Sequence, residues 1–230
     1  MRLSLIRSDL AFTLLRAVPE GSWRWRGGVP VAEPWEVPLL VGEEDGQAFV
    51  PVDCFTMNTG SDGLILSEFA RSVLDSTLSS IGEFWPVRVQ DHSYWWFNCL
   101  ACVDALDRAG TDADWGLVEG AWGSFRWITT TRRLAFEASA VQLAPAMFRV
   151  PEYPQGVLFC GDALSEVVTG HELTGFQFDV VWTSDGGGVA NPPGVGLSDV
   201  FSAVDSAAIA RARDRAVAIL EGRTSRAARR

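Results

Sequence analysis

Residues 64–89, LILSEFARSVLDSTLSSIGEFWPVRV, contain the pattern that decides the fold. Three apolar residues typical of a strand come first, and Ser67 after them is a good helix N-cap. Apolar residues then recur at helical spacing, and we expect Gly82 to end this helix. Phe84–Val89 alternates as a strand, in which Pro86 favours an edge or a strand start. The stretch therefore predicts a strand–helix–strand unit.

A second unit repeats this order further along the chain. Val157–Cys160 is an apolar strand, and Asp162 is suited to cap the short helix Ala163–Thr169, which Gly170 closes. Leu173–Val181 is again a strand. Such units favour parallel strands with right-handed crossovers, although so short a helix also fits across an antiparallel sheet.

The region between the two units predicts further strands. Tyr94–Val103 is nearly continuously apolar, which is typical of a strand buried on both faces. Gly110–Glu119 reads as a polar loop, and Phe125–Thr131 and Arg133–Glu137 read as two strands. Pro145–Val150 includes one more short strand.

These patterns predict an α+β domain over residues 1–183, with a mixed or antiparallel sheet and two or three packed helices. Its first sixty residues read as short extended pieces broken by Pro and Gly. Residues 184–198, rich in Gly and Pro, predict a linker, and residues 199–222 predict a C-terminal helix that ends at Gly222. We expect residues 223–230 to be a disordered tail.

Charge is unevenly distributed over a net charge of −10. Residues 211–230 hold seven arginines and two acids, a net +5, while the other 210 residues hold 12 arginines and 27 acids, a net −15. So acidic a body repels nucleic acid and anionic lipid, and it favours a basic partner if the partner is charged. The sequence contains no lysine, which excludes the usual phosphate-loop, Schiff-base and kinase mechanisms.

The sequence predicts a cytoplasmic protein. No apolar run reaches the ~20 residues of a membrane span, and charged residues interrupt any signal-peptide core at the N-terminus. We therefore expect the four cysteines to be reduced.

Cys99 and Cys102 have the CxxC spacing of redox and zinc sites. They lie within an aromatic strand, however, whereas catalytic pairs lie at helix N-termini. A zinc site needs two further ligands, for which the candidates are Cys54, Cys160, His92 and His171. We expect structural cysteines with no metal and no cofactor, and the alternative of a Cys160–His171 nucleophile pair lacks an orienting third group.

Two other motifs suggest chemistry only weakly. Asp104 and Asp107 resemble the paired carboxylates of glycoside hydrolases, but solvated or turn-capping roles explain them equally simply. Gly186–Gly188 matches no nucleotide-binding pattern and fits a linker. The sequence therefore predicts no catalytic residue.

Two acidic loops, and two tryptophans in or near the second of them, are the best candidates for a partner-binding surface. Aromatic anchors ringed by charge are typical of interfaces, and these loops hold the densest charge that has no other evident role. The residues that we predict to bind the partner are Glu43, Glu44, Asp45, Asp112, Asp114, Trp115, Glu119 and Trp122.

Leu64–Asp107 resembles a family of bacterial immunity proteins from polymorphic-toxin systems. The similarity lies in LILSEFARSVLDSTL, FWPVRV and YWWFNCLACVDALD, and a second block, PAMFRV, VLFCGDALSEVV and ELTGFQF, resembles the family's C-terminal half. The resemblance implies a protein that binds and neutralises a cognate toxin domain, and it implies no catalytic residues. Cys160–Asp162 departs from the Ser or Asp usual in the family, and residues after 183 have no counterpart.

Three hypotheses for the function follow. The first is an immunity protein that blocks the active site of a toxin. The second is an uncharacterised hydrolase or transferase, and the third is an adaptor subunit that docks a partner through its C-terminal helix. The sequence favours the first and third, because no nucleophile, base and orienting group converge.

Overall fold

The computed structural model describes residues 1–8, 15–18, 28–32, 34, 36–42, 49–55, 63–120, 123–153, 157–189 and 206–227. The described strands are β1 (Arg2–Ser8), β2 (Leu15–Val18), β3 (Leu39–Gly42), β4 (Cys54–Phe55), β5 (Leu64–Ser67), β6 (Gly82–Val89), β7 (His92–Cys99), β8 (Asp112–Gly120), β9 (Gly123–Arg133), β10 (Met147–Phe148), β11 (Leu158–Gly161), β12 (Phe176–Thr183) and β13 (Gly187–Gly188). The described helices are α1 (Glu68–Leu78), α2 (Ala138–Leu143), α3 (Asp162–Gly170) and α4 (Ser206–Ala227). None of these helices is both long and apolar enough to cross a membrane.

The strands form two main sheets and a separate hairpin. The six-stranded sheet has the order β2-β3-β6-β7-β5-β4 and is mixed, because β3 and β6 pair in parallel. The five-stranded sheet, β10-β11-β1-β12-β13, is antiparallel throughout. Strands β8 and β9 pair with each other as the hairpin. The chain therefore has the α+β fold with mixed and antiparallel sheets that its sequence predicts.

The first strand–helix–strand unit is β5-α1-β6. The Ser67 hydroxyl accepts a hydrogen bond from the backbone N–H of Ala70 (3.0 Å), which confirms Ser67 as the N-cap. Helix α1 ends at Leu78, four residues before the Gly82 end that the sequence predicts. Gly82 instead begins β6, where a Cβ atom would lie 2.3 Å from the Asn98 carbonyl oxygen. Close strand packing, not helix termination, therefore explains this glycine.

Pro86 is accommodated within β6 because of where the neighbouring strand pairs. β3 joins β6 through Leu39↔Arg88 and Leu40↔Val89, so this parallel pairing begins after the proline. On the other side Pro86 lies opposite Trp95 of β7. Pro86 thus occupies a locally edge-like position in a strand that is internal to its sheet.

The second unit is β11-α3-β12, and its capping differs from the prediction. Gly161 occupies the N-cap position in an extended conformation without a side-chain cap, and Asp162 is the first helical residue. The Asp162 carboxylate accepts two hydrogen bonds from Arg2, one from the side-chain Nε (2.8 Å) and one from the backbone N–H (3.1 Å). Asp162 therefore ties β1 to the start of α3, where its charge is also favourable to the helix dipole.

The two units share one topology. In each, the flanking strands run parallel to one another but are separated by an antiparallel strand, β7 in the first unit and β1 in the second. The backbone N–H of Ser67 donates to the Asp53 carbonyl, and that of Gly161 donates to the Ala146 carbonyl at the matching position. The internal repeat visible in the sequence is thus a split βαβ unit present twice.

Buried side chains form three clusters, which lie against the faces of the two main sheets. The central cluster lies between the main sheets and includes Leu74 of α1 and Leu164 of α3. A second cluster covers the other face of the five-stranded sheet, where Ile128 of β9 and Val141 of α2 contribute. The third covers the other face of the six-stranded sheet and includes Ala216 of α4. Because successive side chains of a strand point to opposite faces of its sheet, neighbouring residues belong to different clusters, and the core is layered.

Several other predicted elements differ from the structure. Phe125–Thr131 and Arg133–Glu137 are not two strands, because β9 runs unbroken to Arg133 and Phe136 forms only an isolated bridge with Leu106. Strand β7 ends at Cys99, before the predicted Val103. Helix α2 was not predicted, since its six residues are too few for a clear helical period.

Two described parts of the C-terminal region differ from the prediction. Gly187–Gly188 pair with Trp182 and Thr183 of β12, so this part of the predicted linker forms a β-hairpin. Helix α4 continues through Gly222 to Ala227, which includes residues predicted to be a disordered tail. The predicted linker from residue 190 and the predicted helix start lie outside the described residues.

Candidate binding surface

The predicted polar loop at 110–119 is a strand of the hairpin. Alternation explains why: Ala113, Trp115 and Leu117 share one face of β8, and shorter or charged residues occupy the positions between them. Ala113 and Trp115 pack against the second core cluster. Leu117 follows two residues later on the same face, beyond that cluster, and 59% of its surface is exposed.

The base of the hairpin is fixed to the body. The backbone N–H of Ile128 donates to the Glu152 carbonyl (3.0 Å), and Ile128 lies opposite Trp115 in the register. The Thr131 and Tyr153 hydroxyls form a further hydrogen bond. The hairpin therefore has an anchored base, and its distal half carries the exposed Leu117.

The predicted carboxylates are paired within the hairpin. Arg132 donates from Nε to Asp112 (2.8 Å) and from both terminal nitrogens to Asp114 (3.1 Å each). Hydrogen bonding to Arg132 lowers the pKa of Asp114. Residues 112–133 hold three acids and three arginines, a net charge of zero. The prediction of uncommitted charge is therefore wrong for Asp112 and Asp114, and it stays a prediction for Glu119.

The structure brings four of the eight predicted binding residues onto one strand. Asp112 and Asp114 lie on the outer face of β8, Trp115 lies half-buried on its inner face, and Glu119 lies opposite Ser124 in the register. The other four lie outside the described residues: Glu43, Glu44, Asp45 and Trp122. Leu117 was missed, although its alternation with Ala113 and Trp115 was visible in the sequence.

The cysteines that suggested a redox, zinc or nucleophilic site differ in their burial and in their positions in the fold. Cys99 is buried at the end of β7, and Cys102 is exposed beyond that end. Burial raises the pKa of the Cys99 thiol to about 11 and that of the Cys160 thiol to about 12. Cys160 precedes α3 and His171 follows it, so the nine-residue helix, about 13 Å long at 1.5 Å per residue, separates the suggested nucleophile pair.

We predict that one thiol reacts rapidly with Ellman's reagent at pH 8 in the folded protein. Cys102 is exposed, whereas Cys54, Cys99 and Cys160 are buried. Burial raises the pKa of all four thiols, so access of the reagent is what separates Cys102 from the other three. The other three should react only after unfolding in urea. A Cys102→Ser variant should lose the rapid phase, and two or more rapid thiols in the parent would contradict the assignment.

The remaining candidate acids have local partners. The Asp107 carboxylate accepts from the backbone N–H groups of Ala109 (3.0 Å) and Gly110 (2.9 Å), which is a turn-capping role. Asp104 pairs with Arg108 (2.8 Å). Across the part of the chain that the structure describes, no three His, Cys, Asp or Glu side chains come together as metal ligands.

A buried carboxylate that the sequence did not reveal joins the C-terminal helix to the body. Asp53 is 3% exposed and accepts from the Ser67 hydroxyl (2.8 Å). Its second oxygen accepts from the N–H (2.8 Å) and hydroxyl (2.9 Å) of Thr174. Nη1 of Arg223 completes the network at 2.7 Å, and its guanidinium lies 4.5 Å from the centre of the Phe69 ring. Arg223, predicted to be in a disordered tail, thus anchors α4.

Comparison with known families identifies a match across most of this architecture. The model of the Immunity protein family (Imm11) matches residues 41–183, which are 143 of the 230 residues. The match includes helices α1, α2 and α3 and the whole hairpin, and it precedes α4. A search of the curated proteins found no match. The chain belongs to the Immunity protein family (Imm11).

Proposed function

We propose that the chain acts in the cytoplasm as an immunity protein that binds a cognate bacterial toxin domain and blocks its active site. The observation that carries this proposal is the family match over residues 41–183. Immunity proteins protect the cell that makes the toxin, so tight binding of one partner is the function that this membership implies.

The engagement of the candidate catalytic groups supports binding rather than catalysis. Cys160 is buried with a raised pKa and is separated from His171 by a helix. Asp107 caps a turn, and Asp104 pairs with Arg108. The two aspartates therefore have structural roles and the suggested nucleophile pair is not assembled, which favours the immunity hypothesis.

The docking of α4 argues against an adaptor that recruits its partner through this helix. Ala216 packs in the third core cluster, and Arg223 pairs with the buried Asp53. At these positions the helix contacts its own chain instead of presenting a free face. The toxin surface is better sought elsewhere.

We assign the toxin-binding surface to strand β8 and to the acidic segment Glu43–Asp45, as the sequence predicts. On β8 this surface comprises Asp112, Asp114, Trp115 and Glu119. Trp122, which lies outside the described residues, completes the predicted set. The exposed Leu117 and the anchored base support this assignment, since an exposed apolar residue on a strand that is held at its base suits an interface. Because Arg132 pairs with Asp112 and Asp114, the hairpin favours shape and apolar contact over attraction of a basic partner.

Co-expression with a candidate toxin gene, sought among the genes next to this one, tests the proposal. We expect the chain to restore growth and to co-purify with an inactivated form of the toxin at a defined stoichiometry. A variant that carries Cys102→Ser, at an exposed position outside the two hairpin strands, serves as a control that should protect equally well. Protection without a physical complex would contradict neutralisation by binding and would instead favour an enzyme that removes the toxin's product.

A further inference from the structure

The outer edge of β8 presents backbone groups at defined positions. In an antiparallel ladder, residue pairs alternate between hydrogen-bonded pairs and pairs whose N–H and C=O groups point away from each other. Ile128 donates its N–H to Glu152, away from β8, so the pair Trp115↔Ile128 belongs to the second kind. The alternation then directs the N–H and C=O groups of Trp115, Leu117 and Glu119 toward the outer edge of β8.

The base of this edge carries protective features. Register irregularities fall between Asp112 and Ala113 and between Asp114 and Trp115, and bulges and charges of this kind discourage pairing with another strand. From Trp115 to Val118 the register is regular, and the sequence has neither charge nor proline. Among the described strands, none pairs with β8 except β9.

We infer that an extended segment of the toxin adds to the outer edge of β8 as a third strand, with an apolar residue against Leu117. This inference rests on the proposed immunity function and names the part of the hairpin that recognises the toxin. The hairpin has no net charge, so an apolar or uncharged segment fits this edge better than a basic one. Backbone hydrogen bonds supply affinity in strand addition, and the Leu117 side chain supplies selectivity.

Proline substitutions at two matched positions test the inference. Leu117→Pro removes an N–H that points outward and so leaves the β8–β9 ladder intact. Leu117→Ala removes the side chain but keeps this N–H. Arg126→Pro removes the outward N–H of the residue opposite Leu117, on the other edge of the hairpin.

Affinity for the inactivated toxin domain, measured by calorimetry, should separate these variants. We expect Leu117→Pro to bind at least about tenfold more weakly than Leu117→Ala, because a toxin carbonyl loses its partner. Arg126→Pro should bind as the parent does. Equal affinities for Leu117→Pro and Leu117→Ala would overturn strand addition, whereas failure of the parent to bind would overturn the proposed function as well.

Residue-resolved hydrogen exchange tests the same edge without any substitution. In the complex the amides of Trp115 and Leu117 should exchange about a hundredfold more slowly than in the free protein. The Gly116 amide, which points toward β9, should be protected in both states. Unchanged exchange at Trp115 and Leu117 in a stable complex would overturn the inference. A free protein that sediments as a dimer, and as a monomer after Leu117→Pro, would assign the edge to a second copy instead.

Discussion

Replacing Asp53 by alanine should lower the free energy of unfolding by about 3–5 kcal/mol, because it leaves buried donors without an acceptor. The N–H and hydroxyl of Thr174 both donate to this carboxylate, and Thr174 is itself buried. Arg223 would lose the anion that holds the end of α4. Urea denaturation at pH 7 measures the loss, and limited proteolysis should detect release of α4.

Arg223→Met is the matched variant for this network. It should cost less, about 2 kcal/mol, because Asp53 keeps its three other hydrogen bonds and the guanidinium is 20% exposed. The double variant Asp53→Asn/Arg223→Met should lose less unfolding free energy than the single variants Asp53→Asn and Arg223→Met lose together, since both charges are removed at once. Full additivity, or a loss below about 1 kcal/mol for Asp53→Ala, would show that the network does not anchor the helix.

Replacing Phe159 by alanine should cost about 3–5 kcal/mol, which is typical of a fully buried aromatic side chain. Phe159 of β11 is 0% exposed, and its ring contacts Phe136, Phe148 and Tyr153 with centroids 5.3–6.2 Å apart. Since Tyr153 also bonds Thr131 of β9, the cavity should loosen the base of the hairpin. We therefore expect weaker toxin binding as well as a lower midpoint of urea denaturation.

Phe176→Ala provides a control on the same sheet. Phe176 is half-buried and stacks on Phe178 with centroids 6.2 Å apart, so its loss should cost about 1 kcal/mol. It packs against the central cluster and not against the second one, so its loss should leave toxin affinity unchanged. Similar losses of stability and toxin affinity for Phe159→Ala and Phe176→Ala would contradict the inference that the second core cluster supports the hairpin.

The sequence predicted the elements whose signals are local. Ser67 and the helical spacing after it specify α1, and the same pattern specifies α3. The position of β1 between β11 and β12 was not predictable, because it depends on pairing between segments more than 140 residues apart. A single sequence shows which segments are strands more readily than it shows which strands are neighbours.

The candidate site was predicted only in part. Acidic residues and Gly116 made β8 resemble a loop, since such residues are depleted in strands. The pairing of Arg132 with Asp112 and Asp114 depends on the hairpin register, which the sequence did not provide. Gly222 suggested a helix end, but the anchor formed by Arg223 beyond it favours continuation of α4.

The central place of β1 in its sheet affects the order of assembly during translation. Strand β1 ends at Ser8, and its neighbour β11 begins at Leu158, 150 residues later. At roughly 5–20 residues per second, the ribosome needs roughly 8–30 s to supply that partner. The six-stranded sheet, whose described strands end at Cys99, can form during this interval. The five-stranded sheet is completed only after β11 and β12 have been synthesised, so the proposed toxin-binding hairpin gains its firm base later than the six-stranded sheet can form.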